Sequence, residues 1–246
     1  MPASLDCVLC LTRQSLEAAR FATSDERRHA AVLKAAFQIV QDIGFTQNPP
    51  LVAQEIQRVI RKETGNPDPY SKQKQTSNEL MLSVRDEMRQ RIRNAAEPLP
   101  FAVKLAAAGN TIDYAVKGDW NKETIMQAFE TALLQPVNGS IETFTETLSQ
   151  AKSVLYLLDN CGEIVCDQLL IEEIQRQYPN IAITAVVRGL PVLNDAVMND
   201  AIQIGLDKTV RVIDNGSDAV GTVLEQSSAA FHEALHSSGM LIAKGL

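Results

Sequence analysis

Two short polar segments in the second half of the chain carry residues suited to binding a divalent cation and a phosphate group. Asp159 and Asn160 directly follow an apolar run at 154–158, and the second segment contains Arg188, Asn194 and Asp195. Mg²⁺ and Mn²⁺ prefer oxygen ligands and usually take one or two carboxylates from the protein, which leaves positions for a substrate phosphate. These residue types make a metal and phosphate site one of two interpretations.

The other interpretation is structural. An Asp-Asn turn caps many helices, and here it would cap a helix that begins near Gly162. Pro191 is typical of a first helical turn, which would place Asn194 and Asp195 inside that helix, where negative side chains offset the helix dipole. The arginine, the Gly-x-Pro turn and the Asn-Asp pair occur together, and this combination favours the functional interpretation.

The elements that would position these residues change character at about residue 150. Before it, apolar residues recur every three or four positions, as in Leu33, Phe37 and Val40, which predicts six or seven helices. After it, β-branched runs predict four strands, at 154–159, 181–188, 209–214 and 240–244. The intervening segments are long enough for the crossover helices of a parallel sheet, at 162–178, 191–204 and 218–236.

This pattern predicts an α/β protein in which an all-helical domain at 1–150 packs on a Rossmann-like α/β/α parallel-sheet domain at 151–246. Ligands of such sheets bind outside the carboxyl ends of the strands. The predicted strands close on Asp159-Asn160, on Arg188-Gly189, on residues 214–217 and on Lys244-Gly245. Carboxylates, amides and two cations are therefore expected at one edge of the sheet.

Taken in order, these segments resemble the signature of the DUF89 family of metal-dependent damage-control phosphatases. In the second half the resemblance rests on Asp159-Asn160-x-Gly162-Glu163, Arg188-Gly189-x-Pro191-x-x-Asn194-Asp195-Ala196 and Ala243-Lys244-Gly245. The first half resembles the prokaryotic, CxxC-bearing subfamily in Cys7-x-x-Cys10, in residues 65–70 with Lys74, and in Gly109-Asn110-x-Ile112-Asp113. The resemblance covers nearly the whole chain.

The resemblance implies an α-helical N-terminal region packed on a Rossmann-like domain. It also implies a phosphatase acting on small phosphorylated metabolites, such as sugar phosphates or damaged phosphometabolites. One divalent cation (Mg²⁺, Mn²⁺, Co²⁺ or Ni²⁺) is expected on Asp159, Asn160 and Asp195. A phosphomonoester dianion is repelled by carboxylates, so a site built on two aspartates needs a bridging cation.

We expect Asp159, Asp195 and Lys244 to be catalytic, with Lys244 holding the phosphate as a point charge and water attacking phosphorus. An aspartyl-phosphate route through Asp195 is the alternative to water attack. The residues expected to bind substrate or phosphate are Glu163, Arg188, Asn194, Asn110, Asp113 and Ser217. Asn110 and Ser217 also suit helix caps, and a lysine at a strand end is often solvated surface.

Two other functions are weighed against the phosphatase. One is an S-adenosylmethionine-dependent carboxyl methyltransferase, although segment 159–163 has a single glycine where such a loop commonly has more. The other is a non-catalytic metal- or metabolite-binding protein. It gains support because the family continues beyond the Lys-Gly pair, whereas this sequence stops at Leu246, so we expect a C-terminally shortened domain.

Composition argues against several other classes. The net charge is −7, and residues 101–246 carry 9 Lys and Arg against 18 Asp and Glu, which disfavours nucleic-acid binding. No apolar run reaches about 18 residues and no secretory signal is evident, so we expect a cytoplasmic protein without a membrane partner. A chain of 246 residues can bury a core without disulfides.

Two weaker motifs remain. Cys7-x-x-Cys10 lacks the second pair that a structural zinc site needs, so packing or pocket lining is expected, with metal and redox roles left open. His232 and His236 match H-E-x-x-H literally, but no third ligand follows, which favours a polar helix face.

Overall fold

The computed structural model describes residues 5–43, 49–111 and 121–245. Seven helices come first within these ranges: α1 (Leu5–Ala22), α2 (Glu26–Ile43), α3 (Pro49–Thr64), α4 (Ser71–Asn94), α5 (Pro98–Thr111), α6 (Lys122–Leu133) and α7 (Ile141–Gln150). Strands and helices then alternate: β1 (Ser153–Leu157), α8 (Glu163–Gln177), β2 (Ala182–Val187), α9 (Met198–Ile204), β3 (Arg211–Asp214), α10 (Ala229–Ser237) and β4 (Met240–Ala243). The predicted fold class is confirmed.

The four strands form one parallel sheet in the order β3-β2-β1-β4. Leu157, at the end of β1, lies opposite Val186 of β2 and Ala243 of β4, so the carboxyl ends of these strands are level. The chain moves outward from β1 to β3 and then returns to the other side of β1. This reversal makes the gap between β1 and β4 the topological switch point, where sheets of this kind bind ligands.

Alternation along β1 explains the three layers of this part of the fold. Val154 and Tyr156 belong to the core shared with α4 to α9, whereas Leu155 and Leu157 pack with Phe231 of α10. Successive side chains of a strand point to opposite faces, so the sequence of a strand buried on both faces is a continuous apolar run. The result is a sheet covered by many helices on one face and by α10 on the other.

The helices before the sheet take part in two different cores. Residues of α4 to α7, such as Met88 and Phe129, share one apolar cluster with the sheet and α8. Helices α1 to α3 form a second cluster, and Leu193 and Val220 from the loops of the sheet region pack against it. The three-helix region therefore contacts the loops beyond the carboxyl ends of β2 and β3.

Two predicted helices are shorter than expected. The helix predicted at 191–204 begins only at Met198, and the prediction that Asn194 and Asp195 lie inside it was wrong. The backbone there hydrogen-bonds to the ends of the strands instead, because the Ala196 N–H donates to the Asp159 carbonyl (2.7 Å) and the Arg188 N–H donates to the Ala196 carbonyl (2.9 Å).

In the segment at 218–236, helix α10 begins at Ala229, and its N-cap is Ser228, which accepts from the Phe231 N–H. The Ser217 hydroxyl accepts from the Ala219 N–H within a loop, so Ser217 does not cap that helix. None of the described helices combines the length and apolar character needed to cross a bilayer.

Candidate metal and phosphate site

The Asp159 carboxylate lies at the switch point between β1 and β4. A Cβ atom added to Gly245, which follows β4, would come within 2.5–2.6 Å of three atoms of that carboxylate. Gly245 also has φ of +77°, a conformation that favours glycine. The Lys-Gly pair of the sequence motif therefore lets the chain pass directly against Asp159, which a larger residue could not do.

Asp159 and Asp195 are brought together although they are distant in sequence. The Cys161 N–H donates to the Asn194 carbonyl (2.9 Å), so the segment around Asp195 lies against the end of β1. The Arg188 guanidinium joins the two carboxylates, donating from Nε to Asp195 Oδ2 (2.6 Å) and from Nη2 to Asp159 Oδ1 (3.5 Å). One arginine at the end of β2 thus holds both predicted aspartates.

The charge around these aspartates is unbalanced. The described residues of the site hold four carboxylates (Asp159, Glu163, Asp167 and Asp195) against two cations (Arg188 and Lys244). Burial raises the pKa of Asp159 to about 7, and the Asp195 and Glu163 carboxylates add to this rise, although Arg188 and Lys244 oppose it. Burial also raises the pKa of Asp195 against the opposing effect of Arg188.

These residues fit a divalent cation. With all four carboxylates ionised, the site has an excess of two negative charges, which one such ion would neutralise, and the donors are oxygens, which Mg²⁺ and Mn²⁺ prefer. The Asn160 amide nitrogen donates to Asp159 Oδ2 (2.7 Å) and, more weakly, to Glu163 Oε2 (3.4 Å). The amide oxygen is therefore the Asn160 atom left to act as a ligand. Asn160 does not use its side chain to cap α8, whose N-cap is Gly162.

Lys244 is enclosed by acceptors. Its Nζ donates to the Ala106 carbonyl (2.8 Å) and to Asp167 Oδ1 (3.0 Å), and it forms an ion pair with Glu163. Three acceptors use all three protons of an ammonium group. The Asp167 and Glu163 carboxylates raise the pKa of Lys244, although burial alone would lower it. Lys244 thus stays charged beside Asp159, but a phosphate oxygen would have to replace one of these acceptors.

The other predicted substrate residues contact different parts of the site and its surrounding loops. The Asn110 amide donates to both carboxylate oxygens of Glu163 (3.2 and 3.0 Å), which joins α5 to the site. Asn194 lies beside Asp195 and contributes its carbonyl to the Cys161 N–H. Ser217 lies at the end of β3, where its carbonyl accepts from the Gly189 N–H (2.9 Å). Asp113, with Ile112 of the same motif, lies outside the described residues.

Sequence reasoning missed Asp167 and Tyr156. The Tyr156 hydroxyl donates to Asp167 Oδ1 (2.7 Å), and Asp167 Oδ2 is buried without a hydrogen-bond partner among the described residues. Burial raises the pKa of Asp167 to about 6, with Glu163 adding to the rise and Lys244 opposing it. The available signal was spacing: Asp167 follows Glu163 by four residues on an otherwise apolar helix face.

The weaker motifs do not join this site. His232 Nε2 contacts the Leu224 carbonyl (2.9 Å) and His236 Nδ1 contacts the His232 carbonyl (2.7 Å), so both rings are engaged by backbone. Cys7 and Cys10 lie on α1, in the separate three-helix region. In the described ranges, no three His, Cys, Asp or Glu side chains are grouped to hold a metal ion. The predicted ligand set differs, since it has two carboxylates and an amide.

The fold and the site define an α/β protein with a cluster of charged side chains at the switch point of a parallel sheet. The sequence matches the family model of the damage-control phosphatase ARMT1-like domain over residues 3–246. The chain therefore belongs to this family. Membership of the CxxC-bearing subfamily stays a prediction.

Similar proteins cover nearly all of the chain. An uncharacterized protein of Methanocaldococcus jannaschii is 32% identical over 246 residues, which are 98% of this chain and 80% of that protein. A damage-control phosphatase of Pyrococcus horikoshii is 31% identical and matches 100% of this chain and 84% of its own length. A damage-control phosphatase of Archaeoglobus fulgidus is 29% identical, over 98% and 83%.

The fold is also similar to a solved structure. The crystal structure of a DUF89 family protein from Pyrococcus horikoshii superposes with a TM-score of 0.90 at 29% sequence identity. The match covers 100% of this chain and 85% of that one. Family and fold are thus established by comparison, whereas the roles of individual site residues are matters of proposal.

Proposed function

We propose that this protein hydrolyses phosphomonoesters of small metabolites with the help of one divalent cation held by Asp159, Asn160 and Asp195. The observation that carries the proposal is the pair of aspartates, buried Asp195 and half-buried Asp159, joined by Arg188 in a site with an excess of negative charge. A phosphate dianion cannot approach that pair without a neutralising cation. The names of the relatives in Pyrococcus horikoshii and Archaeoglobus fulgidus support the same class of reaction.

The bound cation would supply a positive centre that screens the aspartates from the phosphate and draws charge from the P–O bonds. The protein supplies the positioning on which phosphoryl transfer depends. Arg188, 5% exposed, holds the two carboxylates in place, and Asn110 and Lys244 hold Glu163 beside Asn160. Water attacks phosphorus, the ester P–O bond breaks, and the alcohol and inorganic phosphate are released.

Lys244 is assigned to the phosphate. Its charge is maintained by Asp167 and Glu163, and it follows β4 at the point where the chain passes Asp159. Binding a phosphate oxygen would cost one of its three present hydrogen bonds, and Asp167 is the acceptor best able to lose it, because Tyr156 also donates to the same Oδ1 atom.

The test is hydrolysis of p-nitrophenyl phosphate by protein treated with EDTA, followed by addition of Mg²⁺, Mn²⁺, Co²⁺ or Ni²⁺ separately. We expect no turnover without metal and restored turnover with at least one of the ions. Asp195→Asn is expected to lower kcat by about a thousandfold or more, since it removes a ligand charge at the reacting centre. Asp86→Asn is the matched control, because the Asp86 carboxylate is exposed and is not one of the proposed site residues.

Binding of Mn²⁺, followed by the loss of the free-ion electron paramagnetic resonance signal, gives a readout independent of turnover. Wild-type protein and Asp86→Asn are expected to bind the ion, and Asp159→Asn and Asp195→Asn are expected to bind it weakly. Binding without turnover on any phosphomonoester would favour the non-catalytic metal-binding protein. Equal Mn²⁺ affinity in wild type and both ligand variants would overturn the proposed site.

A further inference from the structure

A charged cleft lies beside the proposed reaction centre and contains none of its predicted metal ligands. It has a volume of about 530 Å³ and opens between α3 and the loops that follow β2 and β3. Its lining residues are Arg58, Arg61, Leu190, Gly216, Ser217, Asp218 and Gln226. Arginines from the three-helix region thus face a loop of the sheet region across this cleft.

The polar groups of the cleft leave a surplus positive charge. Asp218 accepts from Arg58 Nε (2.9 Å) and Nη2 (2.6 Å), from Arg61, and from Gln54 Nε2 (2.7 Å). Although burial raises it, these hydrogen bonds hold the pKa of Asp218 well below its usual range, so it stays ionised. Among the lining residues, two arginines therefore share one carboxylate, which leaves a net charge of about +1. The hydrogen bond to Asp218 raises the pKa of Arg58, and the Glu55 carboxylate, which acts on Arg58 from outside the lining, adds to that rise.

The surplus charge is accessible on Arg58. The Asp218 side chain is only 6% exposed, whereas the Arg58 side chain is 53% exposed. Asp218 takes the Nε proton and one Nη2 proton of Arg58, and a guanidinium has five N–H donors. Three donors of Arg58 thus remain for a ligand within the part of the chain that the structure describes. A carboxylate or phosphate group matches such a planar donor set.

The floor of the cleft is rigid. A Cβ on Gly189 would lie within 2.5–2.7 Å of the backbone of Gly216 and Ser217, so the two loops are in direct backbone contact. The Asn215 side-chain oxygen accepts from the Gly189 and Ser217 N–H groups, both at 3.0 Å. Leu190, although apolar, is 54% exposed at the edge. A preformed charged and apolar wall suits a ligand with an anionic end and an apolar body.

The cleft is close enough to the proposed reaction centre to hold the other end of one substrate. Gly189 and Leu190 directly follow Arg188, which binds both aspartates. Neighbouring strands lie about 4.8 Å apart, so the end of β3 is about 10 Å from Asp159, which follows β1. An anion in the cleft and a phosphate at the switch point would thus be separated by about the length of a small metabolite.

We propose that this cleft binds a second anionic group of the substrate, a carboxylate or phosphate carried on the leaving alcohol, with Arg58 as the principal contact. This inference rests on the proposed phosphatase function. It restricts the substrate class to phosphomonoesters whose leaving group bears another negative charge about 10 Å from the scissile phosphate. Arg58 would act in substrate selection and take no part in the bond-breaking step.

The test uses a homologous series of ω-carboxyalkyl phosphates of increasing chain length, each compared with its uncharged methyl ester. For wild-type protein, we expect kcat/KM to favour the free acid by about tenfold at the chain length that spans about 10 Å. Shorter and longer acids are expected to show less preference. Arg58→Gln should reduce the ratio of acid to ester to near one, and Arg58→Lys should retain part of it.

Arg89→Gln is the matched control. Arg89 also binds a carboxylate through two nitrogens, donating from Nε (2.8 Å) and Nη2 (3.0 Å) to Glu172, and it pairs in addition with exposed Asp86. It lines a separate cleft of about 100 Å³. Its variant is expected to keep the wild-type ratio. Thermal unfolding identifies folded variants, and if Arg58→Gln does not fold, Arg58→Lys and the chain-length profile of wild type decide the question.

Each outcome has a separate meaning. Hydrolysis of acids and esters at equal efficiency by wild type would overturn the inference and leave the proposed function standing. A full preference for the acid in Arg58→Gln would also overturn it. If wild type hydrolyses p-nitrophenyl phosphate but no member of the series, the inference is overturned and the proposed function stands. Failure on p-nitrophenyl phosphate with all four metals would overturn the proposed function, and the inference with it.

Discussion

Two buried lysines, Lys74 on α4 and Lys244 after β4, each lie between two carboxylates. Lys74 pairs with Asp68 and Asp200, both at 2.8 Å, and Lys244 pairs with Glu163 and Asp167. Nearby carboxylates raise the pKa of both lysines, although burial alone would lower it. The two clusters thus have the same charges, although the Lys74 side chain is 1% exposed and the Lys244 side chain is 13% exposed.

They differ in what else the carboxylates contact. Asp200 also accepts from the Val197 N–H (2.9 Å), so the Lys74 cluster fixes the start of α9 and the end of the loop that carries Asp195. Glu163 instead contacts Asn160, a predicted metal ligand, and one oxygen of Asp167 has no hydrogen-bond partner within residues 5–43, 49–111 and 121–245. We therefore expect the Lys74 cluster to serve the fold and the Lys244 cluster, as proposed above, to serve the chemistry.

The largest expected effect is on stability, in Lys74→Met. Removing one partner of a buried ion pair leaves uncompensated charge, here on Asp200, and typically costs about 3–5 kcal/mol. We therefore expect the free energy of unfolding, measured by urea denaturation, to fall by about that amount. The remaining folded protein is expected to bind Mn²⁺. A loss of less than 1 kcal/mol would contradict the structural role of the Lys74 cluster.

Lys244→Met is expected to act mainly on turnover. The variant removes the positive charge assigned to the phosphate and releases Glu163 from its ion pair, so we expect kcat for p-nitrophenyl phosphate to fall by about a hundredfold, or about 3 kcal/mol. Steady-state kinetics on protein shown to be folded by circular dichroism measures this change.

A double variant separates the two roles of Lys244. If the lysine only neutralises the carboxylates, Lys244→Met combined with Asp167→Asn should recover most of the turnover. If it binds the phosphate, as we propose, the double variant stays as inactive as Lys244→Met. Recovery in the double variant would assign Lys244 to the same structural role as Lys74.

Asp167→Asn tests the difference between the two clusters through the pH dependence of protein stability. The pKa of Asp167 is raised by burial to about 6 in the folded protein, above the value of 3.8 of a free side chain, so the folded state binds the extra proton between these values. Wild type therefore loses stability as the pH rises through this range, whereas the amide does not titrate.

We expect the stability of Asp167→Asn relative to wild type to increase by about 2–3 kcal/mol between pH 4 and pH 8. Urea denaturation at a series of pH values measures this difference. Asp86→Asn, at an exposed carboxylate, should show no comparable trend. A difference that is constant with pH would mean that folding does not raise the pKa of Asp167.

The sequence predicted those parts of the fold that depend on local patterns. The four strands were placed to within a few residues, because β-branched runs bounded by polar turns are a clear sequence pattern for strands. The helix at 191–204 was misjudged because Pro191 suits a helix start, whereas tertiary hydrogen bonds from Ala196 and Asn194 hold that segment against the strands. Those bonds join residues far apart in sequence, which no local pattern shows.

The same limit applies to the site. Asp159 and Asn160 were singled out because they follow a predicted strand, and parallel strands end at a common edge. Asp195 was assigned to the metal by the resemblance to the family. Asp167, Tyr156 and the Lys74 cluster were not assigned, since their partners come from other elements. Tyr156 in particular lies within an apolar strand, where an aromatic residue predicts packing, and its hydroxyl contact became visible only when α8 was placed beside β1.

The smallest expected effect, in Tyr156→Phe, tests whether that contact matters for the chemistry. The change deletes one buried hydrogen bond to Asp167 and keeps the ring, so we expect about 1 kcal/mol of lost stability. In this variant Lys244 is the remaining donor to Asp167 Oδ1, so breaking the Lys244–Asp167 hydrogen bond to bind phosphate should cost more free energy. We therefore expect a modest rise in KM for p-nitrophenyl phosphate, with kcat changed less. Steady-state kinetics at a fixed metal concentration distinguishes these constants. Loss of stability with unchanged KM would place Tyr156 and Asp167 with the fold, beside the Lys74 cluster.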